Sequence, residues 1–363
     1  MPTVRGLPVG MKNRAIVWLL LAGFLTAVFG LFLYLRRPVE YRSEQFLMDT
    51  FVSIRVYGRD REKLREAVTA AFTEMRRIAE LSDRFPPTGT AEHRASDVCR
   101  INDMAGVGAV RVDQDVFSML ESARAFHDLT GGAFDVTFGP VMDLWGFGGK
   151  KPHVPKAGNI QDALALVDNA RLILDRKERT AFLEKAGMSL DLGSVAKGYA
   201  TERAVLALKR SGVEKALIDA GGNIRVLGKS AGNNPWRIGI KNPSREGDIL
   251  AVLSLEDSAA VTSGDYYRYF ESGGIRWHHI IDPRTGYPAR GSRSVTVVAK
   301  DAGLADVLST TLFVLGPEKA LETGKKLGVE VIIVTADGRL LYTLGIRNRL
   351  EVLDSARHRH DQG

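Results

Sequence analysis

Leu190-Asp-Leu-Gly-Ser-Val-Ala-Lys-Gly-Tyr-Ala200 places a carboxylate, a glycine turn and a lysine where an extended run meets a helix. Met188 to Leu192 is apolar except for Ser189 and Asp191, the pattern of a buried strand whose last carboxylate emerges at its C-terminal end. Gly193 makes the turn. Ser194 is placed to cap a helix carrying Val195, Tyr199, Ala204, Val205 and Leu208, which Gly212 stops after Lys209 and Arg210. The free N–H groups and positive dipole end of such a helix attract phosphate, and Lys197 in its first turn adds a full charge. Asp191 repels phosphate, so the roles open to it are holding Lys197, accepting from a ligand donor or helping to place a divalent metal. The stretch is not a Walker loop, and a purely structural turn is the competing reading.

Around this stretch lies a chain of 363 residues, 45% hydrophobic, enough for one large core or two modest ones. Its formal charge of +7 is unevenly spread: Arg5, Lys12, Arg14, Arg36, Arg37 and Arg42 against Glu40 put +5 in residues 1–43 and leave +2 for the body. That balance excludes a nucleic-acid footprint and matches the flanks of a membrane segment. Ala15 to Leu35 is an uncharged run of 21 residues, long enough to cross a bilayer. It predicts a transmembrane anchor at 15–35, after a basic segment 1–14 and before a polar linker 36–45. A cleaved signal peptide competes, but no small-x-small site follows the run. A single N-terminal span followed by a large domain predicts a body exported to the outer side of the cytoplasmic membrane. The lone cysteine, Cys99, permits no internal disulfide.

The folded part is expected over 46–354. Phe51, Ser53, Arg55 and Tyr57 alternate with Val52, Ile54 and Val56 as in a half-buried strand, and Arg61 to Leu81 repeats apolar residues at helical spacing. Ser82 to Ala95, rich in Pro, Gly and Thr, reads as a mobile loop ahead of a short Ser96–Asn102 segment, and Val116 to Leu129 as a second helix stopped by Thr130-Gly131-Gly132. A strand pair is expected over Lys215 to Leu227, bent at Gly221-Gly222. Further strands are expected at 236–240, 249–255 and 294–299, and a hairpin joins 329–335 to 340–344. Residues 355–363 read as a frayed tail.

Two more stretches carry chemistry. Gly303 to Leu315 is an apolar helix in which Asp306 and Thr310 stand i and i+4, on one face, with Ser309 beside them. Oxygen donors of this kind suit Mg²⁺ or Ca²⁺, and an ion pair or backbone cap for Asp306 is the alternative. Trp277 to Asp282 places His278 and His279 in one strand, where alternation lets only one enter a given pocket. That argues against a two-histidine zinc site and leaves a general base or a structural histidine. Thr130-Gly-Gly-Ala-Phe-Asp135 and Met48-Asp-Thr50 offer close backbone approach and ring packing, or simply turn and core.

Taken in order, these stretches resemble the ApbE family of FAD:protein FMN transferases. The ordered set is Met48-Asp-Thr50, Ser96 to Asn102, Gly131 to Asp135, Leu190 to Ala200, Asp219-Ala-Gly-Gly-Asn223, Thr262-Ser-Gly264 with Tyr267-Arg268, His279 to Gly286 and Ala305 to Thr310. The resemblance implies an α+β fold with mixed or antiparallel sheets, packed helices and a site between two lobes. It also implies FAD bound with its pyrophosphate on Mg²⁺. FMN then passes to a threonine or serine hydroxyl of a target protein as AMP leaves. By position it implies FAD contacts at Met48, Ala133, Phe134, Asp135, Asp191, Lys197 and Ile280, metal ligands at Ser194 (through its carbonyl), Asp306 and Thr310, and His279 as base. Expected acceptors are membrane redox-complex subunits or secreted FMN-binding domains. The chain departs from the family where members often carry a tyrosine after the first helix, here Ser82-Asp-Arg-Phe85. A metal-dependent FAD pyrophosphatase and a non-catalytic flavin carrier are the competing functions.

Overall fold

Period-two alternation builds the central sheet: in Thr50–Gly58 the side chains of Val52, Ile54 and Val56 are fully buried while those between them stay partly open. In the computed structural model, which describes residues 18–29, 38–147, 151–245 and 247–353, this strand belongs to an eight-stranded sheet. Its members are β1 (Val39–Leu47), β2 (Thr50–Gly58), β3 (Lys215–Ala220), β4 (Asn223–Leu227), β5 (Ala259–Gly264), β6 (Ser292–Ala299), β7 (Glu330–Thr335) and β8 (Leu340–Tyr342). They lie side by side in chain order, each antiparallel to the next. Antiparallel succession sends alternate connections to the same end of a sheet. The Met48-Asp49 turn, the Gly221-Gly222 turn and the 265–291 excursion that carries His279 therefore leave from one end.

One face of the sheet is sealed by helices. α1 (Arg61–Ser82), α2 (Gln114–Thr130) and α3 (Ala196–Arg210) share a core with β2 and β3, through residues such as Met75, Ile78, Leu120, Ala204 and Leu208. α4 (Ala302–Leu315) covers β5 to β7 through Ala305, Leu308 and Leu312. Strands Trp236–Lys241, Ile249–Leu255 and Leu350–Val352 form a separate sheet over the opposite face, on Val226, Ala260, Val298 and Ile332. The helices begin and end where their residues dictate. Asp60 caps α1 by accepting from the N–H groups of Glu62 and Lys63, and Gly131, at φ 59°, closes α2.

Several sequence expectations change. The expected linker 36–45 is largely strand, because Val39–Leu47 pairs along its whole length with β2. Among the described residues all pairing between strands is antiparallel, and the parallel contact is a single bridge, Phe138 to Ser189. Met188 to Leu192 is not a strand. It runs extended, held by that bridge, by the Asp191 N–H to the Val136 carbonyl at 2.8 Å, and by Asn102. The Asn102 amide accepts from Leu190 N–H at 2.7 Å and donates to Leu190 C=O at 3.3 Å, doing for one residue what a neighbouring strand does. Trp277 to Asp282 is likewise broken into Ile275–His278 and Ile281–Asp282, with His279 at the break. Residues 18–29 are helical with exposed side chains, and the rest of the expected anchor, 15–17 and 30–35, lies outside the described residues, as does the tail 355–363. Among the described residues no helix is long and apolar enough to cross a membrane.

Candidate active site

The first turn of α3 meets α4 at Gly198. A Cβ there would stand 2.4 Å from the Ala302 carbonyl oxygen and 2.5 Å from Asp306 Cβ, so only glycine lets the two helices approach. Through that gap the Gly198 N–H donates to Asp306 Oδ2 at 2.7 Å, across 108 residues of sequence. In the first turn of α3 this N–H has no acceptor within the helix, and Asp306 supplies one. Ser194 does not cap the helix as the sequence suggested: α3 starts at Ala196, with Val195 at the cap and no side-chain bond.

Asp306 is 4% exposed. Burial pushes its carboxyl up, against the opposing pull of Lys197 and the Gly198 N–H. The Asn223 amide faces the same carboxylate and also favours its charged form. A buried anion with so few donors is short of positive charge. One turn on, the hydroxyls gather. Ser263 Oγ on β5 lies 2.8 Å from Ser309 Oγ and 3.2 Å from Thr310 Oγ1, and Ser309 donates back to the Asp306 carbonyl at 2.9 Å. One carboxylate and a group of hydroxyls form a hard oxygen set, which fits Mg²⁺ better than a metal that seeks histidine or thiolate. Among the described residues no group of three His, Cys, Asp or Glu side chains is placed to hold a metal.

Lys197 is half-buried and close enough to act electrostatically on both Asp306 and His279. His279 is fixed twice to one carbonyl: its N–H at 3.1 Å and its Nδ1 at 3.2 Å both reach Arg268 C=O. A carbonyl only accepts, so Nδ1 carries the hydrogen and Nε2 keeps its lone pair. Crowding around the ring, followed by the charges of Arg268 and Lys197, holds the imidazole well below its ordinary pKa. His278 turns the other way into the core. Its Nε2 donates to Ala289 C=O at 2.9 Å, its Nδ1 accepts from Ile280 N–H at 3.3 Å, and its ring rests on Phe313.

Arg268 also reaches Asp49 at 3.4 Å, which ties the Met48-Asp49 turn to the segment bearing His279. Met48 and Asp49 take φ of 53° and 59°, a two-residue hairpin turn of the type that favours Asn-Gly, so Met48 is held in a costly conformation. Ala133 and Ile280 are buried in one cluster with Ala305 and Leu308 of α4, and Phe134 is buried in the α1–α3 core. What these three can offer a ligand is backbone. Asp135 is occupied by Thr137, through N–H and hydroxyl, and by His127 at 3.2 Å.

Asp191 does not hold Lys197. Its Oδ2 takes Arg84 at 3.0 Å and its Oδ1 takes the Gly193 N–H at 2.8 Å. Arg84, 7% exposed, also reaches Asp143 at 2.6 Å. It comes from the loop where a tyrosine was expected, and nothing in the spacing of Arg84, Asp143 and Asp191 announced the cluster. Asn102, Ser263 and Arg268 are the other residues whose roles appear only in three dimensions. Cavities of about 240 Å³, between the main sheet and the strands at 236–241, and about 420 Å³, between α2, α3 and α4, lie elsewhere. Neither is lined by Lys197, Asp306 or His279.

Comparison with known proteins matches this geometry to a family. The profile described as the ApbE family matches residues 48–333. A protein of Klebsiella pneumoniae named FAD:protein FMN transferase is 36% identical over 318 residues, 87% of this chain and 95% of the relative. One of the same name from Treponema pallidum is 34% identical, over 88% and 91%. The crystal structure of the ApbE protein of Thermotoga maritima superposes with a TM-score of 0.79 at 36% identity, covering 86% of this chain and 99% of that one. The flavin transferase ApbE of Vibrio cholerae gives 0.75 at 26% identity with the same coverage. With a profile that spans the sheet from the Met48 turn to β7 and relatives aligned over nearly nine-tenths of its length, this chain belongs to the ApbE family.

Proposed function

We propose that this chain is an FAD:protein FMN transferase that acts with Mg²⁺ on a threonine or serine of its target. It moves FMN from FAD to a protein, the activity carried in the names of relatives 30–38% identical to it. The observation that carries the reading is the Asp306–Gly198 bond, which brings the two most distinctive motifs, 190–200 and 305–310, to one point beside Lys197.

In the reaction the acceptor hydroxyl oxygen forms a bond to the FMN-side phosphorus of FAD, the phosphoanhydride bond breaks, and AMP leaves with the bridging oxygen. Asp306, Thr310 and the Ser194 carbonyl would hold Mg²⁺, which when bound would supply charge neutralisation to the pyrophosphate. Lys197 adds a second positive charge, and the positive dipole end of α3 adds to it. His279 Nε2 takes the acceptor proton as attack proceeds, which its neutral state and fixed tautomer allow. Met48, Ala133, Phe134, Asp135, Asp191 and Ile280 frame the flavin donor, the buried ones through backbone. Phosphoryl transfer of this kind depends on positioning and charge more than on covalent help.

The pyrophosphatase reading uses the same groups with water as nucleophile, so products separate the two. Incubated with FAD, Mg²⁺ and a secreted FMN-binding domain, the enzyme is expected to release AMP matched by covalent flavin on that domain. AMP matched by free FMN, with the domain unlabelled, would contradict transfer.

A membrane anchor at 15–35 with the body outside completes the proposal, supported by the uncharged 21-residue run and its basic flanks. Protease added to intact spheroplasts is expected to digest the body. Protection until the membrane is lysed would exclude the outward orientation.

A further inference from the structure

We infer that Ser263 sets the direction of the Thr310 hydroxyl, so that Thr310 presents a lone pair rather than a proton to the cation beside Asp306. The inference rests on the metal reading proposed above and follows from counting hydrogens. Ser309 has one hydroxyl hydrogen, and it is given to the Asp306 carbonyl, 2.9 Å away, because a carbonyl can only accept. The 2.8 Å contact between Ser309 and Ser263 must then be donated by Ser263. That spends the only hydrogen on Ser263, so the 3.2 Å contact to Thr310 must be donated by Thr310. The chain Thr310 to Ser263 to Ser309 to Asp306 C=O therefore runs one way. Its start leaves the oxygen of Thr310 with free lone pairs on the helix face shared with the Asp306 carboxylate, the polarity a cation requires.

Strand alternation makes Ser263 specific for this task. Its neighbour Thr262 points to the other face of β5, where its hydroxyl pairs with Thr296 at 2.8 Å and borders the 240 Å³ cavity. One residue of β5 thus serves the metal side of the sheet and the next serves the reverse. Without the Ser263 hydroxyl, Thr310 is free to turn its hydrogen toward the carboxylate and compete with the cation. Ser263 is a positioning residue that acts through Thr310.

The test is metal binding by the full chain with FAD present, with Mg²⁺ followed by thermal shift and Mn²⁺ by the loss of its free-ion paramagnetic resonance signal. Ser263→Ala is expected to raise the metal midpoint about tenfold, the lower end of what loss of an outer-shell partner costs. The metal-free melting temperature is expected to stay near the wild-type value. Ser263→Thr keeps a hydroxyl and is expected to restore the midpoint. Thr262→Val, on the opposite face, is expected to leave it unchanged. Should the alanine variant fold poorly, Ser263→Cys, with its weak S–H donor, takes its place with the same expected weakening. A wild-type midpoint in Ser263→Ala, alongside lost binding in Asp306→Ala, overturns the inference and leaves the metal reading standing. No response in the wild type, or an equal response in Asp306→Ala, overturns the metal reading and the inference together.

Discussion

His278 and His279 are adjacent, chemically identical and opposite in duty. Both ring nitrogens of His278 are committed to backbone groups in the core. Burial first, then the nearby arginines, push its imidazole down to about 4 from 6.5. Its neutral form is the folded form, so its contribution is fully present above about 6.5 and is lost as pH falls toward about 4, where the unfolded chain binds the extra proton. Thermal melts across that window are expected to show stability rising with pH. His278→Ala strands the Ala289 carbonyl and the Ile280 N–H and is expected to cost about 2 kcal/mol or more in a denaturant melt. His279→Ala is expected to leave the fold and FAD binding in place and to lower single-turnover transfer roughly 10²–10⁴-fold. Because His279 is held neutral, the wild-type rate is expected to stay flat through the ordinary imidazole range and to fall only in more acid solution. A near-normal rate in His279→Ala with an unchanged pH profile would remove this ring from the mechanism.

The approach of α3 to α4 is the element-scale feature on which the site depends. Gly198→Ala puts a methyl against a carbonyl oxygen that belongs to the α4 backbone and cannot rotate away. The expected cost is about 1–3 kcal/mol, the range for overpacking a tight contact. The Mg²⁺-dependent rise in melting temperature should shrink with it, since Asp306 would lose the N–H that positions it. A Gly198→Ala protein with wild-type stability and an intact Mg²⁺ response would show that the approach is not needed. The helices themselves were legible in the sequence because their apolar spacing is local: Arg61–Ser82, Gln114–Thr130 and Ala302–Leu315 fall within two residues of the periodic stretches. Met188 to Leu192 has the local pattern of a strand without being one, because its backbone partners include the side chain of Asn102, 88 positions away from Leu190. A local pattern cannot distinguish a neighbouring strand from an amide that imitates one.

At the scale of the molecule, a meander of antiparallel strands brings the Met48, Gly221 and His279 segments to one end, and α3 and α4 set Lys197 and Asp306 beneath them. The order of the motifs was legible because the family resemblance preserves it. The pairing of Asp191 with Arg84 rather than Lys197 was not, since it depends on a loop that departs from the family pattern. We propose that this assembly passes FMN from FAD to a protein hydroxyl with the help of a cation at Asp306. The most direct test is covalent flavin fluorescence of an acceptor domain in a denaturing gel, after incubation with FAD and the wild-type or Asp306→Ala enzyme, with Mg²⁺ or with Mg²⁺ chelated. A fluorescent acceptor band is expected only for wild type with Mg²⁺. An equally bright band from Asp306→Ala, or from wild type after chelation, would contradict the proposal.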